Sequence, residues 1–147
     1  ARHAGAGARP LAKVASGGEL SRVSLAISAL AAQDNPVGTL IFDEADAGVG
    51  GAVAEVVGEL MRNLGESRQV LCVTHLPQVA ACGHHHLRVS KATLSGQTLS
   101  RIESLEGSAR IDEMARMLGG AQITATTRRH AREMLSRSAA SPVSEGH

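Results

Sequence analysis

Thr39-Leu40-Ile41-Phe42-Asp43-Glu44-Ala45-Asp46 is the stretch on which the fold of this chain turns. Four apolar or β-branched residues run without interruption into two adjacent carboxylates. A strand buried on both faces reads as such an unbroken run, because helices cover the two faces of a parallel sheet. An unpaired carboxylate inside that strand is very costly. Asp43 and Glu44 therefore belong at its carboxyl end, where the strand opens into a cleft. Acidic groups in that position suit a metal ion and a water molecule.

Downstream, Ala47-Gly48-Val49-Gly50-Gly51 reads as a loop and Ala52 to Leu64 as a helix ended by Gly65. A second apolar run, Gln69-Val70-Leu71-Cys72-Val73-Thr74, is tipped by His75, and Pro77 breaks any continuation. Strand, helix, strand in this order is the crossover unit of a parallel sheet. Both polar tips then share one sheet edge, which carries His75 towards Asp43 and Glu44.

Upstream, Ala15-Ser16-Gly17-Gly18-Glu19-Leu20-Ser21-Arg22 opens a helical segment that runs to about Ala32. Leu20, Val23, Leu25, Ala26, Ile27, Leu30 and Ala31 give it a broad apolar face. Ser16, Gly17 and Gly18 have two readings: a plain serine cap in a glycine turn, or free backbone N–H groups presented to an anion at a helix start. Asp34-Asn35-Pro36-Val37-Gly38 then stops the helix by turn chemistry.

Beyond His75, Leu87 to Lys91 reads as a short strand paired with Gln97 to Glu103 across a Ser95-Gly96 turn. Ser108 to Leu118 forms an amphipathic helix stopped by Gly119-Gly120, and Thr124 to Arg137 forms another. Arg128, Arg129, His130 and Arg132 make a basic cluster, either a solvated helix face or a DNA contact. Cys72, His75, Cys82 and the run His84-His85-His86 lack the paired spacing of a structural zinc site, and Cys72 reads as an apolar strand residue. The histidine run has no assigned role. Ser138 to His147 carries no periodicity and reads as a disordered tail.

Composition narrows the classes further. The 147 residues fit one domain, and 43% apolar content is enough for a core. A formal charge of +1 argues against a whole-surface grip on nucleic acid or membrane, while local patches stay open. Phe42 is the only aromatic residue, so single-strand stacking platforms are excluded. Two cysteines make no disulfide framework, and neither a signal peptide nor a membrane span is apparent. The expectation is a cytoplasmic protein, and a chain opening with Ala1 and a flexible lead over residues 1–10 reads as a fragment.

An Ala-Ser-Gly-Gly-Glu helix start, a strand ending in Asp-Glu and a later strand ending in His form one ordered set. Together they resemble the signature motif, Walker B strand and switch histidine of the ABC ATPases. More narrowly, Leu11 to His75 and the continuation Thr74-His75-Leu76-Pro77-Gln78-Val79-Ala80 through Met117-Leu118-Gly119-Gly120 resemble the C-terminal part of the RecN family. These SMC-like ABC ATPases act in recombinational repair of DNA double-strand breaks. The resemblance spans residues 11–137 and implies an α/β fold, the C-terminal half of an ATPase head with parallel strands and flanking helices, P-loop NTPase-like but without the Walker A segment.

The resemblance also implies roles. Asp43 helps hold Mg²⁺ through water, Glu44 orients or deprotonates the attacking water, and His75 contacts the γ-phosphate. Ser16, Gly17, Gly18 and Glu19 form a signature loop that meets ATP on the other subunit. The implied partners are the chain's own N-terminal Walker A half, a second head in a homodimer sandwiching ATP, and DNA through the complete protein, in a nucleoid-associated setting without a membrane. Two departures stand out. Gly50 occupies the position of the usual loop Asp after Walker B, and no Gly-Lys-Ser or Gly-Lys-Thr loop exists, since Lys13 precedes Val14 and Lys91 precedes Ala92. ATPase activity is therefore expected of the complete protein and not of this chain alone. Two alternatives remain open at this point: Asp43-Glu44-Ala45-Asp46 spells the second motif of DEAD-box helicases, and the chain also suits a non-catalytic dimerisation module.

Overall fold

A computed structural model describes residues 26, 27, 29, 30, 32, 38–43, 50–120 and 122–140. The flexible lead, Ser16 to Glu19, Glu44 and the tail beyond Ala140 lie outside the described residues. Ala26, Ile27, Ala29 and Leu30 are helical, within the segment read as the first helix.

Strand β1 (Thr39–Asp43) pairs in parallel with β2 (Gln69–Val73), Phe42 standing opposite Cys72, and helix α1 (Gly51–Leu64) connects them. Alternation along each strand sends Leu40, Phe42, Val70 and Cys72 to one face. There they meet Val57, Met61 and Leu64 of α1, and Ile27 completes the cluster. The helix offers Ala54, Val57, Gly58, Met61 and Leu64 at three- and four-residue spacing, the stripe needed to cover a sheet. After Leu64 it unwinds through turn bonds from Gly65 to Met61 (2.9 Å), Glu66 to Asn63 and Ser67 to Leu64.

A short helix α2 (Pro77–Ala80) follows β2, with proline in its first turn, where the missing N–H costs nothing. It crosses α1 very closely. A Cβ at Gly58 would lie 2.8 Å from the Cys82 Sγ and 3.3 Å from the Gln78 carbonyl oxygen, so only glycine permits this approach. Arg62 of α1 donates to the Cys82 carbonyl at 2.8 Å, holding the same crossing.

Next comes the antiparallel hairpin of β3 (His86–Leu94) and β4 (Gln97–Leu105). Its two-residue turn has φ of 51° at Ser95 and 77° at Gly96, the left-handed pair that matches strand twist. Both strands run longer than expected, because Ala92↔Leu99, Thr93↔Thr98 and Leu94↔Gln97 extend the ladder to the turn.

Helices α3 (Gly107–Gly119) and α4 (Ala125–Ala140) pack as a hairpin. Met114, Ala115, Ala131 and Met134 form a second core, which Ala81 joins from the end of α2. Thr124 Oγ1 accepts from the Thr127 N–H at 3.1 Å while Thr127 Oγ1 accepts from the Thr124 N–H at 2.9 Å, a reciprocal cap in which threonine replaces the usual glutamate. One boundary needs correction. Residues 138–140, assigned from sequence to the disordered tail of 138–147, continue α4, and half-buried Ser138 donates to Cys82 Sγ. A small residue facing the α2 turn keeps that last turn in register, a tertiary reason that periodicity does not reveal.

Candidate functional site

Asp43 is the last residue of β1 and is exposed. Its register partner is Val73, the last residue of β2, so the two strands end together. His75, also exposed, follows two residues later. Its backbone is held by a local turn: the Thr74 hydroxyl accepts from the Leu76 N–H at 3.0 Å, and the Leu76 carbonyl accepts from Val79 and Ala80 at the start of α2. Parallel pairing thus brings Asp43 and His75 to one end of the ladder although the α1 crossover separates them in sequence. Among the described residues Asp43 makes no ion pair. A carboxylate is a hard oxygen donor of the kind that suits Mg²⁺.

Ser16, Gly17, Gly18, Glu19 and Glu44, the other residues singled out from sequence, lie outside the described residues. Gly50, noted as the departure from the usual loop aspartate, caps α1 in an extended conformation, and no side chain caps that helix start. Among the described residues no group of three His, Cys, Asp or Glu side chains is arranged to hold a metal ion. Cys72 packs on the α1 core, and His84 pairs with Glu66 at 2.9 Å.

The reverse face of the β1–β2 ladder is the feature the sequence left unstated. Ile41 is 69% exposed, Val73 59% and Leu71 41%, although both strands carry the unbroken apolar run of a doubly buried strand. Such runs signal a cover on each side, and α1 supplies only one. Each sheet also contains only two strands, which leaves outer ladder edges unpaired among the described residues.

A charged network that no motif announced anchors the hairpin. Arg88 donates to Glu103 at 2.6 Å and lies 3.7 Å from Glu113, a carboxylate only 5% exposed on α3, while Arg116 chelates Glu113 through Nε and Nη2. The Arg116 hydrogen bonds hold the Glu113 carboxyl below the usual carboxylate range, against the opposing effect of burial. Beside it burial pushes the His86 imidazole down, with Arg110 adding in the same direction. Arg110 itself donates to the carbonyls of Ala80 and Gly83, at 3.2 and 2.6 Å. This cluster ties strand, turn and helix together at a distance from Asp43 in the topology. Its sequence signal, arginines and glutamates on opposed strand positions, was present but needed the register to be read.

A cleft of about 290 Å³ lies between the start of α1 and α4, lined by Gly51, Glu55, Gln78, His130 and Arg137 among others. Neither Asp43 nor His75 lines it. No helix among the described residues is long and apolar enough to cross a membrane.

The fold has a counterpart among solved structures. A chain from a structural study of ATP-driven dimerization and DNA-stimulated activation of SMC ATPases superposes with a TM-score of 0.55 at 18% identity, covering 76% of this chain and 66% of that one. This is the fold of an SMC-type ATPase head. No family model matches the sequence. Sequence relatives identify the branch: the DNA repair protein RecN of Vibrio cholerae is 58% identical over 127 residues, covering 86% of this chain and 23% of the relative. RecN of Streptomyces coelicolor is 50% identical over 135 residues (92% and 24%), and RecN of Bacillus subtilis 45% over 127 residues (86% and 22%). The chain belongs to the RecN family and represents the C-terminal part of such a protein. It spans less than a quarter of the length of these relatives. Membership sets aside the DEAD-box alternative.

Proposed function

We propose that this chain is the C-terminal portion of an ATPase head that, completed by an N-terminal Walker A half, hydrolyses ATP between two heads during recombinational repair of DNA double-strand breaks. The observation that carries this reading is the common end of β1 and β2, with Asp43 and His75 at one end of the ladder and its outer face open. A missing half of the same polypeptide is the natural cover for Ile41, Leu71 and Val73, because a parallel sheet is stable only when both faces are packed.

In this reading Asp43 would help hold Mg²⁺ through water, and the ion would supply neutralisation of phosphate charge. Glu44, the next residue, orients the attacking water and accepts its proton. His75, which lies in the turn closed by the Leu76 N–H on the Thr74 hydroxyl, would contact the γ-phosphate. Ser16, Gly17, Gly18 and Glu19 meet ATP held by the other head, which makes hydrolysis depend on a homodimer. DNA is engaged by the complete protein, in the cytoplasm and on the nucleoid.

Calorimetry and ATP turnover test the reading. The complete polypeptide should bind and hydrolyse ATP with Mg²⁺, whereas the 147-residue chain should do neither, since no lysine-bearing phosphate loop is present. Mg²⁺-dependent turnover by the purified chain alone would sink the half-head reading, and a complete polypeptide that binds no nucleotide would favour the dimerisation module.

A further inference from the structure

Helix α4 carries four arginines and one glutamate in sixteen residues, in a chain whose formal charge is only +1. Its buried side is set by Ala131 and Met134 against α3. Opposite them, on the 3.6-residue period, stand Arg129, Arg132, Glu133 and Ser136, all exposed. Two flanking arginines are already matched: Arg128 with Asp112 at 2.9 Å, and Arg137 with Glu55 at 3.9 Å. Arg129 and Arg132 have no carboxylate within ion-pair distance among the described residues. They are one turn apart, with Cβ atoms about 5–6 Å from each other, so that both guanidinium groups reach the same side.

We infer that this face of α4 is a contact for the sugar-phosphate backbone of duplex DNA, with Arg129 and Arg132 as the phosphate ligands. The exposed residues of α4 include no large apolar side chain, only arginine, His130, Glu133, threonine, serine and alanine. A protein interface needs an apolar centre and a membrane-surface helix needs an apolar face, and α4 spends its apolar side on α3. Charge is what this surface offers, and phosphate is the ligand that planar, always-charged guanidinium groups chelate. Sequence is not read here. The only phenylalanine, Phe42, is buried in the other core and the chain has no tyrosine or tryptophan, so α4 offers no large stacking platform and unrelated sequences should bind alike.

The inference rests on the head reading only for its setting, and its test reads a separate quantity. Binding of the complete polypeptide to fluorescent duplexes of two unrelated sequences is followed by anisotropy across a sodium chloride series. Replacing both residues, Arg129→Ala with Arg132→Ala, should weaken binding equally for both duplexes and reduce the log–log salt slope by about 1.8, at about 0.9 for each phosphate no longer neutralised. Arg129→Lys with Arg132→Lys keeps the charge and should keep the slope. Both pairs should retain parental circular dichroism and DNA-free ATP turnover, because the side chains face solvent. An alanine pair with the parental slope overturns the inference, and so does one that retains parental DNA binding but loses self-association in size-exclusion chromatography, which would make the face a protein contact. Absence of DNA-free turnover in the parental protein would instead overturn the head reading and leave the slope comparison intact.

Discussion

Asp43 and Val73 are partners in the β1–β2 ladder, so that the acidic end of one strand and the chain segment leading to His75 leave the sheet at the same level. This coincidence is a consequence of parallel pairing. An antiparallel arrangement of the same two strands would send Asp43 and His75 to opposite ends. The inward face of the ladder is fixed by Phe42 and Cys72 against α1, and a slip by one residue would bury Asp43 and expose Phe42.

Glu44→Gln tests the water role proposed for Glu44 apart from the metal role proposed for Asp43. In the complete polypeptide it should slow ATP hydrolysis about 10² to 10⁴-fold, as loss of a general base does, while ATP affinity stays near parental. Unspent ATP should hold heads together, so size-exclusion chromatography should show ATP-dependent dimers. Hydrolysis at the parental rate would remove Glu44 from the chemistry.

Ser16→Arg should spare ATP binding by the complete polypeptide and abolish hydrolysis, because the substituted loop blocks approach to nucleotide held by the other head. A variant that no longer binds ATP as a monomer would place Ser16 in the same-head site instead.

Gly58→Ala should destabilise the α1–α2 crossing. Helix propensity favours alanine by about 0.5–1 kcal/mol, but the new methyl would meet the Cys82 Sγ at 2.8 Å, and such overpacking costs about 1–3 kcal/mol. The net loss should appear as faster amide exchange in α1, partly relieved by adding Cys82→Ala. Unchanged exchange would show that the crossing has slack.

Acid should loosen the root of the hairpin in two stages. His86 has a folded pKa below its unfolded value, so its contribution is complete above about pH 6.5 and declines as pH falls below that. Glu113 is also depressed, so its contribution is complete above the ordinary carboxylate range and is lost at lower pH, as the carboxyl protonates and releases Arg116. Glu113→Gln should remove the second stage and cost about 1–2 kcal/mol, the low end for a broken buried pair, since Arg116 and Arg88 are exposed enough to be solvated. The check is hydrogen exchange of β3 and α3 against pH, and an acid profile identical to the parental one would dismiss the network as a stabiliser.

By itself the sequence determined the strands and the longer helices and their order, but not the short α2, where Pro77 reads only as a breaker. Unbroken apolar runs marked β1 and β2, three- and four-residue spacing marked α1 and α3, and Ser95-Gly96 marked the hairpin turn, because each of these signals is local and arises from the backbone period or from turn sterics. The acidic and histidine strand tips were legible for the same reason. Tertiary structure decided what depends on residues distant along the chain. Ser138, in the last turn of α4, contacts Cys82 across the chain, Glu113 is buried where Arg88 and Arg116 reach it from two elements, and among the described residues Arg129 and Arg132 have no ion-pair partner while their neighbours Arg128 and Arg137 meet Asp112 and Glu55. Such pairings cannot be read from a local pattern, since burial and charge matching are properties of the packed surfaces and not of the segments that form them.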